Sequence, residues 1–245
     1  MKYLIIFSLL FLLFFPKQIN AVGIYKAGTT GFDISFPQCP EYFPSDQYDF
    51  GIVGVNGGRA FIQNDCLFNE YFWAKKAKAK VSLYMNLNFP SGDTEILGLV
   101  GPMGDCIKND IVCLAYNYGY NAAKDAYQYA LSQFAVSNNW WVDVETANNW
   151  SDNVVLNNYV LQGTIDFLNS ENVMVGIYST KREWNIVMGD KFIPMQNFLL
   201  PVPNWIGTGL KEIDTSRCLK PFIPNSSVWI IQYAHGDFDG NYACV

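Results

Sequence analysis

Seven short runs of apolar, β-branched and aromatic residues recur along the 245-residue chain, at 31–35, 50–56, 81–86, 140–145, 173–179, 198–206 and 228–233. Most are continuous rather than strictly alternating in polarity, the pattern of strands covered on both faces in a parallel sheet. Segments with helical spacing lie between them. Leu67 to Lys80 carries Phe68, Tyr71 and Phe72 at that spacing and ends in Lys75, Lys76, Lys78 and Lys80, where positive charge complements the helix dipole. Asn121 to Phe134 aligns Ala122, Ala126, Tyr129 and Ala130, and Asn153 to Asn169 aligns Val155, Tyr159, Leu161, Ile165 and Leu168, with Asn169 or Asn172 as a stop signal. This alternation predicts an α/β protein with a parallel sheet. Residues 22–245 approach the ~250 typical of an eight-stranded β/α barrel, but one strand is missing from the count. An irregular or incomplete (β/α)8 TIM-type barrel is therefore expected, with a doubly wound open sheet as the second choice. The stretch Gly51 to Gly58 lacks the G-x-G-x-x-G spacing that would seat a pyrophosphate in such an open sheet. No linker rich in Pro, Gly or Ser and no internal repeat divides 22–245, so one domain is expected there.

The start of the sequence, Met1-Lys2-Tyr3, then an apolar run from Leu4 to Phe15, then Pro16 to Ala21, has the form of a secretory signal peptide over residues 1–21. The run is short for a membrane span, which wants ~20 apolar residues; an uncleaved anchor is the alternative. No later stretch approaches spanning length, so a secreted, extracellular protein without stable membrane association is expected. Removing Lys2 and Lys17 shifts the net charge from −6 to −8, a balance that repels phosphate backbones and, with no basic run present, argues against nucleic acid as a partner. The six cysteines, Cys39, Cys66, Cys106, Cys113, Cys218 and Cys244, are even in number and suit three disulfides. Six cysteines permit fifteen pairings; pairing of neighbours is the expectation. A metal cluster is disfavoured because no C-x-x-C occurs and His235 is the single histidine. Asn149-Trp150-Ser151 and Asn225-Ser226-Ser227 are N-glycan acceptor sequences.

A single histidine rules out the paired-histidine zinc helix and leaves one possible base for a serine or cysteine triad, for which no G-x-S-x-G elbow is present. Hydrolytic chemistry must then rest mainly on carboxylates. The strand Trp140-Trp141-Val142-Asp143-Val144-Glu145 puts Asp143 and Glu145 on one face, since side chains alternate, and at the strand's C-terminal end, where β/α proteins carry their sites. Crowded carboxylates raise one another's pKa, and a Glu kept protonated near neutral pH can act as a general acid. The plainer alternative is a pair of strand-end acids that cap the next helix or pair with Arg59 or a lysine. Asp33 is a third strand-end acid, with an Asx turn into Phe36-Pro37 as its plain alternative. Asp237, Asp239 and Asn241 resemble the opening of a calcium loop, but its terminal glutamate is absent, and a polar turn lining the site is preferred. No metal and no cofactor is expected, and a monomer is.

In the order of its motifs the chain resembles glycoside hydrolase family 25, the lysozyme-like muramidases. The residues that carry the likeness are Gly31-Phe32-Asp33-Ile34-Ser35, Val142-Asp143-Val144-Glu145, Val175-Gly176-Ile177-Tyr178 and Trp229-Ile230-Ile231-Gln232-Tyr233. Phe32 to Cys39, Gly51 to Phe61 and Asp143 to Asn148 are similar to a secreted glycoside-hydrolase-like subgroup. The resemblance implies an irregular β/α barrel with Glu145 as proton donor, Asp143 as its partner and Asp33 as a further carboxylate. It implies that Tyr84, Tyr178, Trp205 and Gln232 line a sugar groove. The family's final aspartate falls on Ala243, and Asp237 and Asp239 are the acids nearest in sequence that would replace it.

These readings lead to a secreted glycosidase acting on peptidoglycan or another β-linked polysaccharide. Two alternatives stand beside it: a non-catalytic carbohydrate-binding or extracellular interaction protein on a hydrolase scaffold, and an exported structural protein without a ligand. The stereochemical outcome would follow from the carboxylate separation, ~5 Å for retention and roughly 6.5–9.5 Å for inversion.

Overall fold

The computed structural model describes residues 24–245 other than 41, 108 and 198–200. The segment read as a signal peptide lies outside them, as does the first part of the 198–206 run. In chain order the elements are β1 (Thr30–Ile34), β2 (Phe50–Gly54), α1 (Leu67–Ala74), β3 (Ser82–Asn86), a small hairpin of β4 (Val100–Gly101) and β5 (Gly104–Asp105), α2 (Ile111–Ser132), β6 (Asn139–Asp143), α3 (Val154–Ser170), β7 (Met174–Ser179), α4 (Lys181–Val187), β8 (Asn204–Gly207), β9 (Val228–His235) and β10 (Phe238–Ala243). Eight of the strands close a barrel in the order β1-β10-β9-β8-β7-β6-β3-β2, so the open-sheet alternative is set aside. From β1 to β9 the neighbouring pairs run parallel.

The eighth strand is the segment read from sequence as a polar turn. After the Gly236 turn, where φ is +63°, β10 runs antiparallel to both β9 and β1 and closes the barrel. Its residues alternate, but the inward positions are Asp239 and Asn241, so no hydrophobic run marks it. The 198–206 run contributes only its end to β8, after Pro201 and Pro203, whose rings cannot donate to a ladder.

Helix faces differ from the expectation in a consistent way. Helix α1 ends at Ala74 and buries Leu67, Glu70, Tyr71 and Ala74, leaving Phe68 and Phe72 exposed. Two stripes at helical spacing overlap in this segment at Tyr71, and the buried one also takes in Trp73 and places Ala74 against the sheet. A Cβ added to Gly51 of β2 would stand 2.7 Å from the Ala74 Cβ, an approach that larger side chains would prevent. Helix α2 starts ten residues before the segment marked by its alanines. Helix α3 exposes Val155 and Tyr159 and buries Leu161, Ile165 and Leu168. Its N-cap is Asn153, whose side chain accepts from the Val155 N–H, and Asn172 turns the chain out at φ +59°.

The barrel interior below its C-terminal mouth is aromatic. Tyr25, Phe50, Trp141, Trp205 and Trp229 pack there with Ile52, Ile230 and Ala243, where barrels more often stack branched aliphatics. Glycine makes the room: a Cβ on Gly176 would lie 2.2 Å from the Trp141 ring, and one on Gly31 would lie 2.3 Å from the Phe50 carbonyl. Disulfides join Cys39 to Cys66, Cys106 to Cys113 and Cys218 to Cys244, the neighbour pairing expected. They tie the segment after β1 to the start of α1, the β5 end to α2, and the residue after β10 to the loop before β9. Among the described residues no helix is long and apolar enough to cross a membrane.

Glu70 is buried on the inner face of α1 with one oxygen accepting from Asn64 Nδ2 at 2.7 Å and the other without a partner. Burial pushes its pKa up to about 7. Because the folded protein holds this proton more tightly than the unfolded chain, the associated stability is present at low pH and is lost as pH rises through about 7. Thermal unfolding of Glu70→Gln and the unsubstituted protein should therefore diverge with pH, the variant gaining in relative Tm between about pH 5 and pH 8; a constant difference across that range would contradict a buried, titrating Glu70.

Candidate active site

Strand β6 ends on Asp143, but the chain stays in sheet register beyond it. The Val144 N–H donates to the Tyr178 carbonyl at 3.0 Å and the Leu87 N–H donates to the Asp143 carbonyl at 3.2 Å. Glu145 therefore projects from the same face as Asp143, buried Asp143 lying deeper and Glu145 half-buried at the mouth. Asn86, at the end of β3 and in register with Asp143, donates its side-chain amide to Asp143 Oδ2. Asn56 holds Asn86 in turn by accepting its backbone N–H and donating to its carbonyl, both at 2.9 Å. No N–H and no hydroxyl reaches Asp143 Oδ1. The Glu145 carboxyl stands close enough to Asp143 for its charge to act on it.

Asp33, on β1, stands opposite Asp239 on β10 in the antiparallel register. Its carboxyl is buried and accepts from Asn241 Nδ2 at 2.6 Å and from Gln232 Nε2 at 3.1 and 3.2 Å. Gln232 accepts from the Tyr178 hydroxyl at 2.8 Å, and Asn241 accepts from the Trp205 indole N–H at 2.8 Å. Asp33 thus sits at the centre of a network that fixes two aromatic side chains.

Together these groups line a cleft of about 260 Å³ at the C-terminal mouth, with Asp33, Asp143, Glu145 and Asp239 on its walls beside Tyr84, Tyr178, Trp205 and Gln232. No lysine or arginine among the described residues makes a salt bridge to any of these acids. Uncompensated charge and burial act in the same direction. Burial, then the Asp239 charge, push Asp33 up to about 8 against the pull of its amide donors. Burial and then the Glu145 and Glu183 charges hold Asp143 well above the usual carboxylate range. Glu145 is raised by burial and then by the Glu183 charge; Asp239 is raised by burial.

The other residues singled out by sequence lie elsewhere or act differently. Asp237 is outside the cleft, accepting from the Tyr42 hydroxyl at 2.8 Å beside the His235–Asp46 pair at the β9–β10 turn. Ala243 is in the aromatic floor of the barrel, and the acid of β10 at cleft level is Asp239. Arg59 is exposed and pairs with none of the cleft acids. Trp205 lines the cleft but is only 2% exposed, so little of its ring is open to a ligand. Asn149 and Asn225 are exposed. Among the described residues no group of acids, cysteines and histidine is arranged to hold a metal ion.

Sequence reasoning missed Asn86, Phe36 and Glu183, and placed Asn241 in a polar turn rather than on the strand from which it reaches Asp33. Phe36 follows β1 in a short 3-10 turn and stands 45% exposed on the rim, an aromatic face open to a sugar. Glu183, on α4, accepts from the Thr146 N–H and hydroxyl at 3.2 and 2.9 Å and from the Thr180 hydroxyl at 2.9 Å. It thereby anchors the loop after Glu145 and adds a charge beside the pair.

A family model described as Lysozyme-like protein 1 matches residues 112–222, a segment that carries Asp143, Glu145 and Glu183 but neither Asp33 nor β10. No curated protein sequence matches the chain. The structure is similar to that of the bacterial lysozyme from Streptomyces coelicolor, with a TM-score of 0.54 at 14% identity over 89% of this chain and 93% of that one. It is also similar to a family 25 glycosyl hydrolase from Bacillus anthracis, with a TM-score of 0.50 at 13% identity over 89% of each chain. The modular autolysin LytC from Streptococcus pneumoniae, solved with a synthetic peptidoglycan ligand, aligns at a TM-score of 0.57 and 12% identity over 87% of this chain and 46% of its own. The chain is lysozyme-like in sequence over that segment and has the irregular β/α barrel of family 25 lysozymes, in agreement with the resemblance read from its motifs.

Since the Glu183 charge raises both members of the pair, Glu183→Gln should shift their titration to lower pH. Carbon-13 NMR of the side-chain carboxyls would follow it, and an unmoved titration would disprove the electrostatic link.

Proposed function

We propose that the protein is a secreted glycosidase of the lysozyme type, cleaving peptidoglycan or a related β-linked glycan by carboxylate catalysis centred on Glu145. The observation that carries this reading is the placing of Asp143 and Glu145 side by side in a cleft of acids with no cation among them. Its support includes the lysozyme-like family match and the peptidoglycan ligand of a structural neighbour. The leader-like residues 1–21 and the three disulfides favour an exported, oxidised protein.

In this mechanism a glycan lies across the mouth with a sugar ring against Phe36. Glu145, the accessible member of the pair, gives its proton to the glycosidic oxygen as the bond to the anomeric carbon breaks, and the leaving sugar departs as an alcohol. Positive charge develops on the remaining ring. Asp143 and Asp239 act in their ionised forms, Glu145 carrying the one proton that moves, and their attraction to the developing charge grows toward the transition state, where the stabilisation is needed. Water adds to the anomeric carbon and its proton returns to Glu145. Asp33, held by two amides, positions Tyr178 and Trp205 against the substrate.

Glu145→Gln keeps the shape and a hydrogen-bond donor but cannot supply a proton, and should lower kcat by about 10²–10⁴ with the Tm little changed. Release of new reducing ends from peptidoglycan and chitin oligomers is the assay; unaltered activity in this variant would refute the assignment, and binding without any product in the unsubstituted protein would favour a carbohydrate-binding role. Because the pair is raised, activity should fall as the pH is taken above its upper ionisation, and Glu183→Gln should move that alkaline limb to lower pH.

A further inference from the structure

A second hollow, of about 650 Å³, lies beside the cleft between the β7–α4 junction and the loops that follow β8. Its lining includes Lys181, Arg182, Arg217 and Lys220. That is four of the sixteen lysines and arginines of a chain with net charge −6, gathered in one groove. Arg217 is partly neutralised by Asp214, 3.1 Å away. Lys181, Arg182 and Lys220 make no salt bridge among the described residues.

The groove and the cleft share a wall. Gly207 lines the groove, and a Cβ built on it would stand 2.6 Å from the Tyr178 hydroxyl, which belongs to the cleft side. Thr208, the next residue, donates its N–H and hydroxyl to the carbonyl of Gln232 at 3.1 and 2.6 Å. Thr180 lines the groove while its hydroxyl holds Glu183, the acid beside the catalytic pair. One layer of residues therefore separates a mouth of uncompensated acids from a basin of uncompensated cations. A polymer bearing carboxylates is repelled from the first and attracted by the second, so the two surfaces together fix its direction and register.

We propose that this groove is a subsite for carboxylates carried by the glycan on one side of the scissile bond, with Lys181, Arg182 and Lys220 as its contacts. The proposal rests on the hydrolase reading of the neighbouring cleft for the substrate's position, and it adds that the substrate is anionic. Nothing in the cleft itself selects such a substrate, because the cleft is acidic.

The test is a binding measurement, kept separate from cleavage. Soluble peptidoglycan oligomers with free carboxylates, and the same oligomers after amidation, are titrated calorimetrically into the Glu145→Gln protein. The free acids should bind about tenfold more tightly than the amides, the value expected of a few screened charge contacts, and the preference should shrink as salt shortens the Debye length from about 10 Å at 0.1 M to about 3 Å at 1 M. Adding K181Q, R182Q and K220Q should remove the preference, while K181R, R182K and K220R should retain it and so exclude misfolding as the cause. Equal affinity for acid and amide, or a preference that survives the glutamine substitutions, would overturn the subsite. If the unsubstituted protein releases no reducing ends yet the preference is present, the subsite stands and the hydrolase reading falls; cleavage of both oligomers with no preference has the opposite meaning.

Discussion

The Asp33 carboxyl accepts hydrogen bonds from the side-chain amides of Gln232 on β9 and Asn241 on β10. Those bonds lie across the seam where the barrel closes, since β10 is the strand that joins β9 to β1. Removing the Asp33 carboxyl would leave buried amide donors without an acceptor, at a cost of roughly 1–3 kcal/mol each. The same amides accept from Tyr178 and Trp205, so the positions of the cleft's aromatic walls depend on the closure of the sheet. Barrel geometry and site geometry are in this sense one arrangement.

Around that hub the acids are crowded without cations. Such a mouth loses stability as the pH rises from the ordinary carboxylate range through about 8, the folded pKa of Asp33, because the folded protein holds protons that the unfolded chain gives up. The aromatic floor below it compensates through packing rather than charge. Trp141 and Trp205 meet edge to face at 5.7 Å, as do Tyr178 and Trp205 at 4.6 Å, and the interior glycines admit rings of that size. The carboxyls Asp33, Asp143, Glu145 and Asp239 are gathered at the mouth of the barrel, the layer that a ligand reaches.

Much of this is legible in the residue order, for identifiable reasons. Strands with continuous apolar runs announce themselves, and two acids at i and i+2 on such a strand must share a face, so the alternation of side chains alone pairs Asp143 with Glu145. β10 cannot be read in that way, because its inward side chains are Asp239 and Asn241 and its centre is Gly240. The faces of α1 and α3 differ from expectation because each segment offers overlapping apolar stripes, and packing against the barrel, as of Ala74 over Gly51, selects between them. Glu183 and Asn86 carry no local signal: each reaches Asp143 or its neighbour only through the parallel register of strands far apart in sequence.

The closure at β10 also ties the two ends of the described chain together. Asn241 and Asp33 are separated by 208 positions, and contacts of such long range are slow to form because the intervening chain must first be gathered. Until β10 docks, β1 and β9 present unpaired edges and Asp33 has neither amide at hand. The network that aligns the cleft is therefore complete only with β10 seated between β9 and β1, and a chain halted before residue 238 would lack the strand that closes the sheet.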